Sequence, residues 1–271
     1  MKKKRKARAR KQPSGAAKNS PTEKKEGISV IIPVLNEAEN LRKLLPIIKK
    51  QKGVNVDIIV ADSKSKDGSA RIARKLGARV SKGGLPPVGR NNGARMAKYE
   101  RILFLDADVL FEDDYLIRCI EAMKRRSLEV AAVTSRPLTD RLSEKFVFAS
   151  WDFWMWLTQS FYPHAGGYCM FSSKRVQRKI KGFDERIRLG EDSNYALRSS
   201  RVAKFGLIGV PIGLSTRRLR KDGAFRVMWQ VFKCGVRRIF VGEDIGDNFH
   251  YEFNEYSKKG RKAGQLPAKR I

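Results

Sequence analysis

Acids are outnumbered two to one in this sequence, with Asp+Glu 28 against Lys+Arg 58, yet several stand where chemistry could use them. Asp106 and Asp108 flank Ala107. Glu37 closes Pro33-Val34-Leu35-Asn36-Glu37, and Asp62 opens Asp62-Ser63-Lys64-Ser65-Lys66-Asp67-Gly68. In an extended segment, residues two apart leave the same face, so Asp106 and Asp108 are expected side by side. Two such carboxylates suit one hard divalent cation held through oxygen, with diphosphate oxygens completing the shell. Taken singly, each acid could equally cap a helix; the three carboxylate-bearing segments together are harder to dismiss. Glu191 and Asp192 stand before Tyr195, Leu197 and Arg198, a stretch that reads as a helix. The positive end of that helix would keep an acid in its first turn ionised.

The surrounding pattern puts these acids at strand ends. Residues 28–34 (ISVIIPV) form a β-branched apolar run of buried-strand length. Leu41, Leu44, Leu45 and Ile48 then recur at helical spacing over 38–51, with Gly53 as a stop. Strands are expected at 56–61, 78–81, 102–105 and 130–134. Helices are expected at about 67–76 and 113–125, with a Gly/Pro-rich loop over 83–89. Strands alternating with helices imply an α/β fold with a mostly parallel sheet and helices on both faces. In such sheets ligands bind beyond the carboxyl ends of the strands, and those ends carry the acids. Neither GxGxxG nor GxxxxGK[ST] occurs, so the two common phosphate-cradling loops are absent.

With these segments in hand, the sequence from about residue 28 to 223 resembles a family 2 glycosyltransferase of the GT-A fold. ISVIIPVLNEAENL is similar to that family's first strand and nucleotide loop, and IIVADSKSKDGSARIA to its second strand and DxxSxDGT turn. Gly89-Arg90-Asn91-Asn92-Gly93-Ala94, FLDADV, Gly166-Gly167, Gly182-Phe183-Asp184-Glu185 and Gly190-Glu191-Asp192 follow in the family's order. The resemblance implies that Pro33, Asn36 and Glu37 line the nucleotide site, that Asp62 accepts hydrogen bonds from the base, and that Arg90 helps hold the nucleotide. Asp106 would sit at the ribose and metal, Asp108 would ligate Mg²⁺ or Mn²⁺, and Gly166 and Gly167 would lie on the acceptor side. One acid of Glu191 and Asp192, with Asp192 preferred, would be the general base of an inverting transfer. The donor would be a UDP- or GDP-linked sugar and the acceptor a glycan hydroxyl or a lipid-linked group such as a lipid phosphate. Ser63 and Lys64 depart from the Asp and Gly found in many members.

The chain has 271 residues and a formal net charge of +30; 41% of its residues are hydrophobic and 9% aromatic. That composition excludes a wholly disordered chain, and no apolar run reaches the roughly 18 residues of a membrane span. Residues 1–26 carry eleven Lys/Arg against Glu23 and Glu26 and read as a disordered basic arm, without the apolar stretch of a secretory signal. A catalytic domain over 27–223 and an amphipathic basic helix and tail over 224–271 complete the expected organisation. Cys119, Cys169 and Cys234 suit a reducing compartment. The expectation is a cytoplasmic enzyme, with peripheral attachment to the cytoplasmic membrane face.

Several segments admit two readings. Arg217 and Arg218 either clamp a diphosphate in fork geometry or form a solvated face. His164 and His250 are metal ligands or, in the blander reading, surface or satisfied core residues. The aromatic stretch 146–162 packs on the sheet or presents a wall to an apolar acceptor or a membrane. Residues 225–241, mixing Trp229, Phe232 and Phe240 with Arg226, Lys233, Arg237 and Arg238, are core or lie on anionic lipid. The charge balance also fits a nucleic-acid-binding protein, although no nucleic-acid motif accompanies it and no specific nucleic acid is expected. A nucleotidyltransferase on a related scaffold is a further alternative.

Overall fold

The computed structural model describes residues 25–187 and 189–216. The Arg217–Arg218 pair, His250, Cys234, the 225–241 segment and all but the end of the basic arm lie outside them. Eight strands form one sheet: β1 (Glu26–Val34), β2 (Val54–Asp62), β3 (Arg79–Lys82), β4 (Arg101–Leu105), β5 (Val109–Leu110), β6 (Val130–Pro137), β7 (Cys169–Ser173) and β8 (Phe205–Leu214). Their order is β3-β2-β1-β4-β7-β6-β8-β5. Strands β1 to β4 pair in parallel, β6 and β8 likewise, while β7 and β5 run antiparallel to their neighbours.

The seven described helices are α1 (Ala38–Lys49), α2 (Ser69–Lys75), α3 (Pro86–Met96), α4 (Tyr115–Arg125), α5 (Leu142–Thr158), α6 (Lys174–Lys179) and α7 (Glu191–Ser200). Period-two alternation sends Val30, Ile32 and Val34 of β1 into one core layer with Leu41, Leu44 and Leu45 of α1 and Leu116 and Ile120 of α4. Ile31 points the other way, into a second layer with Ala94 of α3, Phe104, Phe183 and Tyr195 of α7. Helices therefore cover both faces, and both faces of the central strands are apolar, as a buried parallel sheet requires.

Two boundaries differ from expectation. Glu26, assigned from sequence to the basic arm, opens β1 opposite Val54. There Lys124 at 2.6 Å and Arg101 at 3.7 Å neutralise it. The expected loop over 83–89 is a helix from Pro86 onward, because Pro86 and Pro87 occupy the first helical positions, where a missing N–H costs nothing. That helix lies close on the sheet: a Cβ on Gly93 would stand 2.4 Å from Ile31 Cγ2. Gly93→Ala is therefore expected to lower stability by about 1–3 kcal/mol, read as an earlier urea midpoint at unchanged m-value. A wild-type midpoint would contradict this packing.

Candidate active site

The site lies beyond the carboxyl ends of β1, β2 and β4. Two loops are stitched together there. Asn36 adopts a left-handed backbone at φ 57, accepts from the Lys66 N–H through Oδ1 at 2.9 Å, and donates its own N–H to Ser65 Oγ at 2.9 Å. Asp67 reaches across to accept from the Ala38 N–H at 2.8 Å, giving α1 the N-terminal acceptor that Glu37 does not supply. Burial tends to raise the Asp67 carboxyl, but the donors Ser69 and Ala38 outweigh it and hold the group below the usual range. Glu37 instead accepts from Asn40 at 2.6 Å.

Asp62, at the end of β2, accepts from the Ser65 N–H through Oδ2 at 3.1 Å. Its Oδ1 is buried with no hydrogen-bond partner among the described residues. A buried acceptor left unmade is costly, so this atom is free to accept a further hydrogen bond. Of the two departures noted in the sequence, Ser63 has a local reason, and Lys64 keeps the backbone conformation that glycine suits. Ser63 Oγ donates to the Gly84 carbonyl at 2.6 Å and tethers the loop before α3. Lys64 sits at φ 61, the left-handed region where glycine is at ease.

At the end of β4, residues 106–108 form a turn rather than the expected extended segment. The chain must bend there for Val109 to pair antiparallel with Leu214. The two carboxylates nevertheless act on each other. Asp106 keeps 37% of its side chain exposed, while enclosure raises its carboxyl to about 7; Arg90 pulls it down, and Asp108, Glu191 and Asp192 push it up. Asp108 is exposed and lines a cavity of about 220 Å³ with Asn40, Lys43, Ser215 and Thr216.

Arg90 is the hub of the acids. Only 3% exposed, its guanidinium donates to Glu191 Oε1 at 2.7 Å, to Asp106 Oδ1 at 3.2 Å and to the Gly167 carbonyl at 3.2 Å. Burial disfavours its charge, but Glu191, Asp106 and Asp192 overcome that and hold it protonated. Burial and the neighbouring Asp192 push Glu191 upward against the pull of Arg90. Gly167 has no room for a side chain: a Cβ there would stand 2.7 Å from Arg90 Nη2 and 3.1 Å from Asp192 Oδ2. At Gly166 a Cβ would fall 2.0 Å from Tyr168 Cε1.

The two acids of α7 thus separate. Glu191 is committed to Arg90, whereas Asp192 is half-buried, accepts from the Ser193 N–H at 2.7 Å, and turns Oδ2 toward Gly167. Gly190, at φ 79, sets the turn into α7.

Of the residues singled out from sequence, Asp106, Arg90, Gly167, Glu191 and Asp192 converge, and Asp108 joins them through Asp106. Pro33, Asn36, Glu37 and Asp62 line the neighbouring strand ends of β1 and β2. His164 is buried among Trp151, Trp154 and Tyr162, with ring centroids 6.1, 6.1 and 5.2 Å away, which is a core position. Sequence reasoning missed Asn91, which holds the 182–185 segment by accepting from the Phe183 N–H at 2.8 Å and donating to the Phe183 carbonyl at 2.9 Å. It also missed Asn40 and Lys43 beside Asp108; Asn40 lies three residues from Glu37 and Lys43 three from Asn40, the spacing of helical neighbours.

The mostly parallel curled sheet, with helices on both faces and acids beyond the strand ends, is the GT-A glycosyltransferase fold. The chain belongs to glycosyl transferase family 2, whose model matches residues 29–164, just over half of it. The 4,4'-diaponeurosporenoate glycosyltransferase of Staphylococcus haemolyticus (strain JCSC1435) is 35% identical over 104 residues, 35% of this chain and 28% of that protein. The poly-beta-1,6-N-acetyl-D-glucosamine synthase of Staphylococcus epidermidis is 28% identical over 121 residues, 41% of this chain and 29% of that one. These alignments span under a third of either relative. Among solved structures, the mannosyltransferase PcManGT from Pyrobaculum calidifontis, in complex with GDP-Man and Mn²⁺, superposes with a TM-score of 0.63 at 18% identity. That match covers 78% of this chain and 64% of the other. S. aureus TarS 1-349 in complex with UDP-GlcNAc gives 0.56 at 17% identity, over 70% and 59%. No described helix is long and apolar enough to cross a membrane.

Proposed function

We propose that this chain transfers a sugar, with inversion, from a nucleotide-diphosphate sugar to an acceptor hydroxyl or a lipid phosphate, using a divalent metal. The observation that carries this reading is the convergence of Asp106, Glu191 and Asp192 around the single guanidinium of Arg90, with Asp108 acting on Asp106. With all four acids ionised, one guanidinium leaves the cluster strongly negative. Enclosure is the main cause of the rise at Asp106, and the neighbouring acids add to it; hard carboxylate oxygens fit Mg²⁺ or Mn²⁺. Asp106 and Asp108 would hold it, leaving other positions to donor oxygens. When bound, the metal neutralises charge on the departing diphosphate.

The chain's own groups supply the rest. Asp62 Oδ1 accepts from the nucleotide base, and the pinned loops of Asn36 and Glu37 shape the nucleotide floor. Where the acceptor is a hydroxyl, Asp192 takes its proton at Oδ2 as the acceptor oxygen bonds to the anomeric carbon; a lipid phosphate attacks already ionised. The bond from that carbon to the diphosphate breaks in the same displacement, and the nucleoside diphosphate leaves with the electron pair. Gly167, whose carbonyl accepts from Arg90, lets Arg90 and Asp192 close in where a side chain would collide with them. Arg90 is too enclosed to be spent on the nucleotide alone; it fixes the acids relative to one another. The known neighbours bound to UDP-GlcNAc and to GDP-Man with Mn²⁺ support this class of donor.

A thermal-shift screen of UDP- and GDP-sugars with Mn²⁺ tests the reading. A donor at 100 times its Kd stabilises the native state by about 2.7 kcal/mol, so one nucleotide series is expected to raise Tm only when the cation is present. No shift with any donor would count against the proposal.

A further inference from the structure

Asn91, next to Arg90 on α3, spends its whole amide on one short segment. Oδ1 accepts from the Phe183 N–H at 2.8 Å and from Gln177 Nε2 at 3.1 Å. Nδ2 donates to the Phe183 carbonyl and to Glu185 Oε1, both at 2.9 Å. Two lone pairs and two hydrogens are all that a carboxamide has. An aspartate could accept from the Phe183 N–H but would have nothing to donate to its carbonyl. Gly182, at φ 73, leaves the room the amide needs, since a Cβ there would stand 2.4 Å from Asn91 Oδ1. From the other side, Arg198 of α7 donates to the carbonyls of Ile180 and Gly182, each at 2.7 Å.

The residue gripped in this way carries the hub of the acids. The guanidinium carbon of Arg90 lies over the Phe183 ring, 5.4 Å from its centroid, within the range of a cation–π contact. The same ring stacks on Tyr195 of α7 at 4.3 Å and meets Phe104 of β4 edge-on at 4.9 Å. Arg90 then reaches Glu191, in the first turn of α7, at 2.7 Å, and Asp192 is the next residue. Any slip of Phe183 along α3 would strand buried polar groups, so the network holds one arrangement. We propose that Asn91 is a positioning residue for the transfer: by clamping Phe183 against α3 it sets where Arg90 meets Glu191, and so where Asp192 faces the acceptor. This rests on the transfer reading given above. The side-chain hydrogen bonds of Asn91 all go to residues 177–185, so its effect on Asp192 passes through Phe183 and Arg90. A misplacement of about 1 Å can cost roughly 10²-fold in rate.

Two measurements test the clamp. In kinetics at a temperature where the variant is folded, Asn91→Ala is expected to lower kcat by at least about tenfold, with donor Kd in Mn²⁺ within about threefold of wild type. Phe183→Leu reads the same clamp through its ring if Asn91→Ala melts early, and is expected to move kcat the same way. A wild-type kcat in folded Asn91→Ala, with only the denaturant midpoint lowered, would make Asn91 a packing residue and overturn the proposal. The second measurement needs no turnover: denaturant melts of Asn91→Ala, Glu191→Gln and the double variant. The loss in folding equilibrium constant caused by Glu191→Gln is expected to shrink by at least about fivefold once residue 91 is alanine, because the two sites are coupled through Arg90. Additive losses would overturn the clamp whatever the enzyme turns over. Coupled melts in a protein that turns over no donor would contradict the transfer reading and leave the clamp standing.

Discussion

Asp192→Asn is expected to lower kcat by roughly 10²–10⁴-fold, the usual worth of a positioned general base, while leaving the donor-induced rise in Tm intact. The geometry makes the two halves of that expectation separable. Asp192 stands at the first turn of α7 with Oδ2 toward Gly167, and it accepts a hydrogen bond from the neighbouring Ser193 N–H. Asparagine keeps the size and an acceptor oxygen but cannot take a proton. Donor binding draws on Asp62, Asp106 and Asp108, whose side chains the change leaves in place; it removes only the last-ranked of the charges that act on Asp106. Glu191→Gln should behave differently. It removes the charge that Arg90 meets at 2.7 Å, so it is expected to cost stability as well as rate. A loss under tenfold in Asp192→Asn, measured at saturating donor, would take the role of base away from Asp192.

Arg90→Met should be among the most destabilising single changes in the described domain, by about 3–5 kcal/mol, because it strands carboxylates around an enclosed site without their counterion. Glu191 has only 10% of its side chain exposed, so water cannot replace the guanidinium there. The pH dependence follows from the sign of the shifts. Asp106 is already raised to about 7, and Arg90 is the group that opposes the rise for both Asp106 and Glu191. Without Arg90 both carboxyls rise further, so the folded variant binds more protons than the unfolded chain at mildly acid pH. Its stability should therefore fall as pH rises toward and through 7 and recover as pH drops toward 5. Arg90→Met/Glu191→Met, which removes both partners, should regain much of the loss. Denaturant melts at pH 5 and pH 8 check all three statements; a pH-independent deficit in Arg90→Met would show that packing, not charge, is what Arg90 supplies.

The strand ends were readable because each rests on local pattern. The run 28–34, the spacing of Leu41, Leu44, Leu45 and Ile48, and the glycines after the helices each say what the adjacent backbone does, and Asp62, Asp106 and Asp192 follow as the next residues. Pairings across the chain were not readable. Nothing near Arg90 says that its partner lies 101 residues away in Glu191, nor that β7 enters antiparallel between β4 and β6. Those choices are made when both core layers close around Phe104, Phe183 and Tyr195, where ring contacts of 4.3 to 5.7 Å fix how α7 sits on β4. The turn at 106–108 was missed for a similar reason: the two-residue strand β5 exists only because β8, 104 residues after Leu110 at its last residue Leu214, pairs with it. A resemblance can hand Arg90 to the nucleotide, but only packing reveals how fully its guanidinium is engaged by acids.

The central claim is that the acid cluster binds a metal-held nucleotide-sugar and releases its diphosphate. The most direct measurement is nucleoside diphosphate release from the donor found by thermal shift, followed with and without Mn²⁺ in wild type and in Asp108→Ala. Release that requires the cation in wild type and falls by at least roughly 10²-fold in Asp108→Ala is the predicted result. Release of pyrophosphate instead, or nucleoside diphosphate release at the wild-type rate from Asp108→Ala, would contradict it.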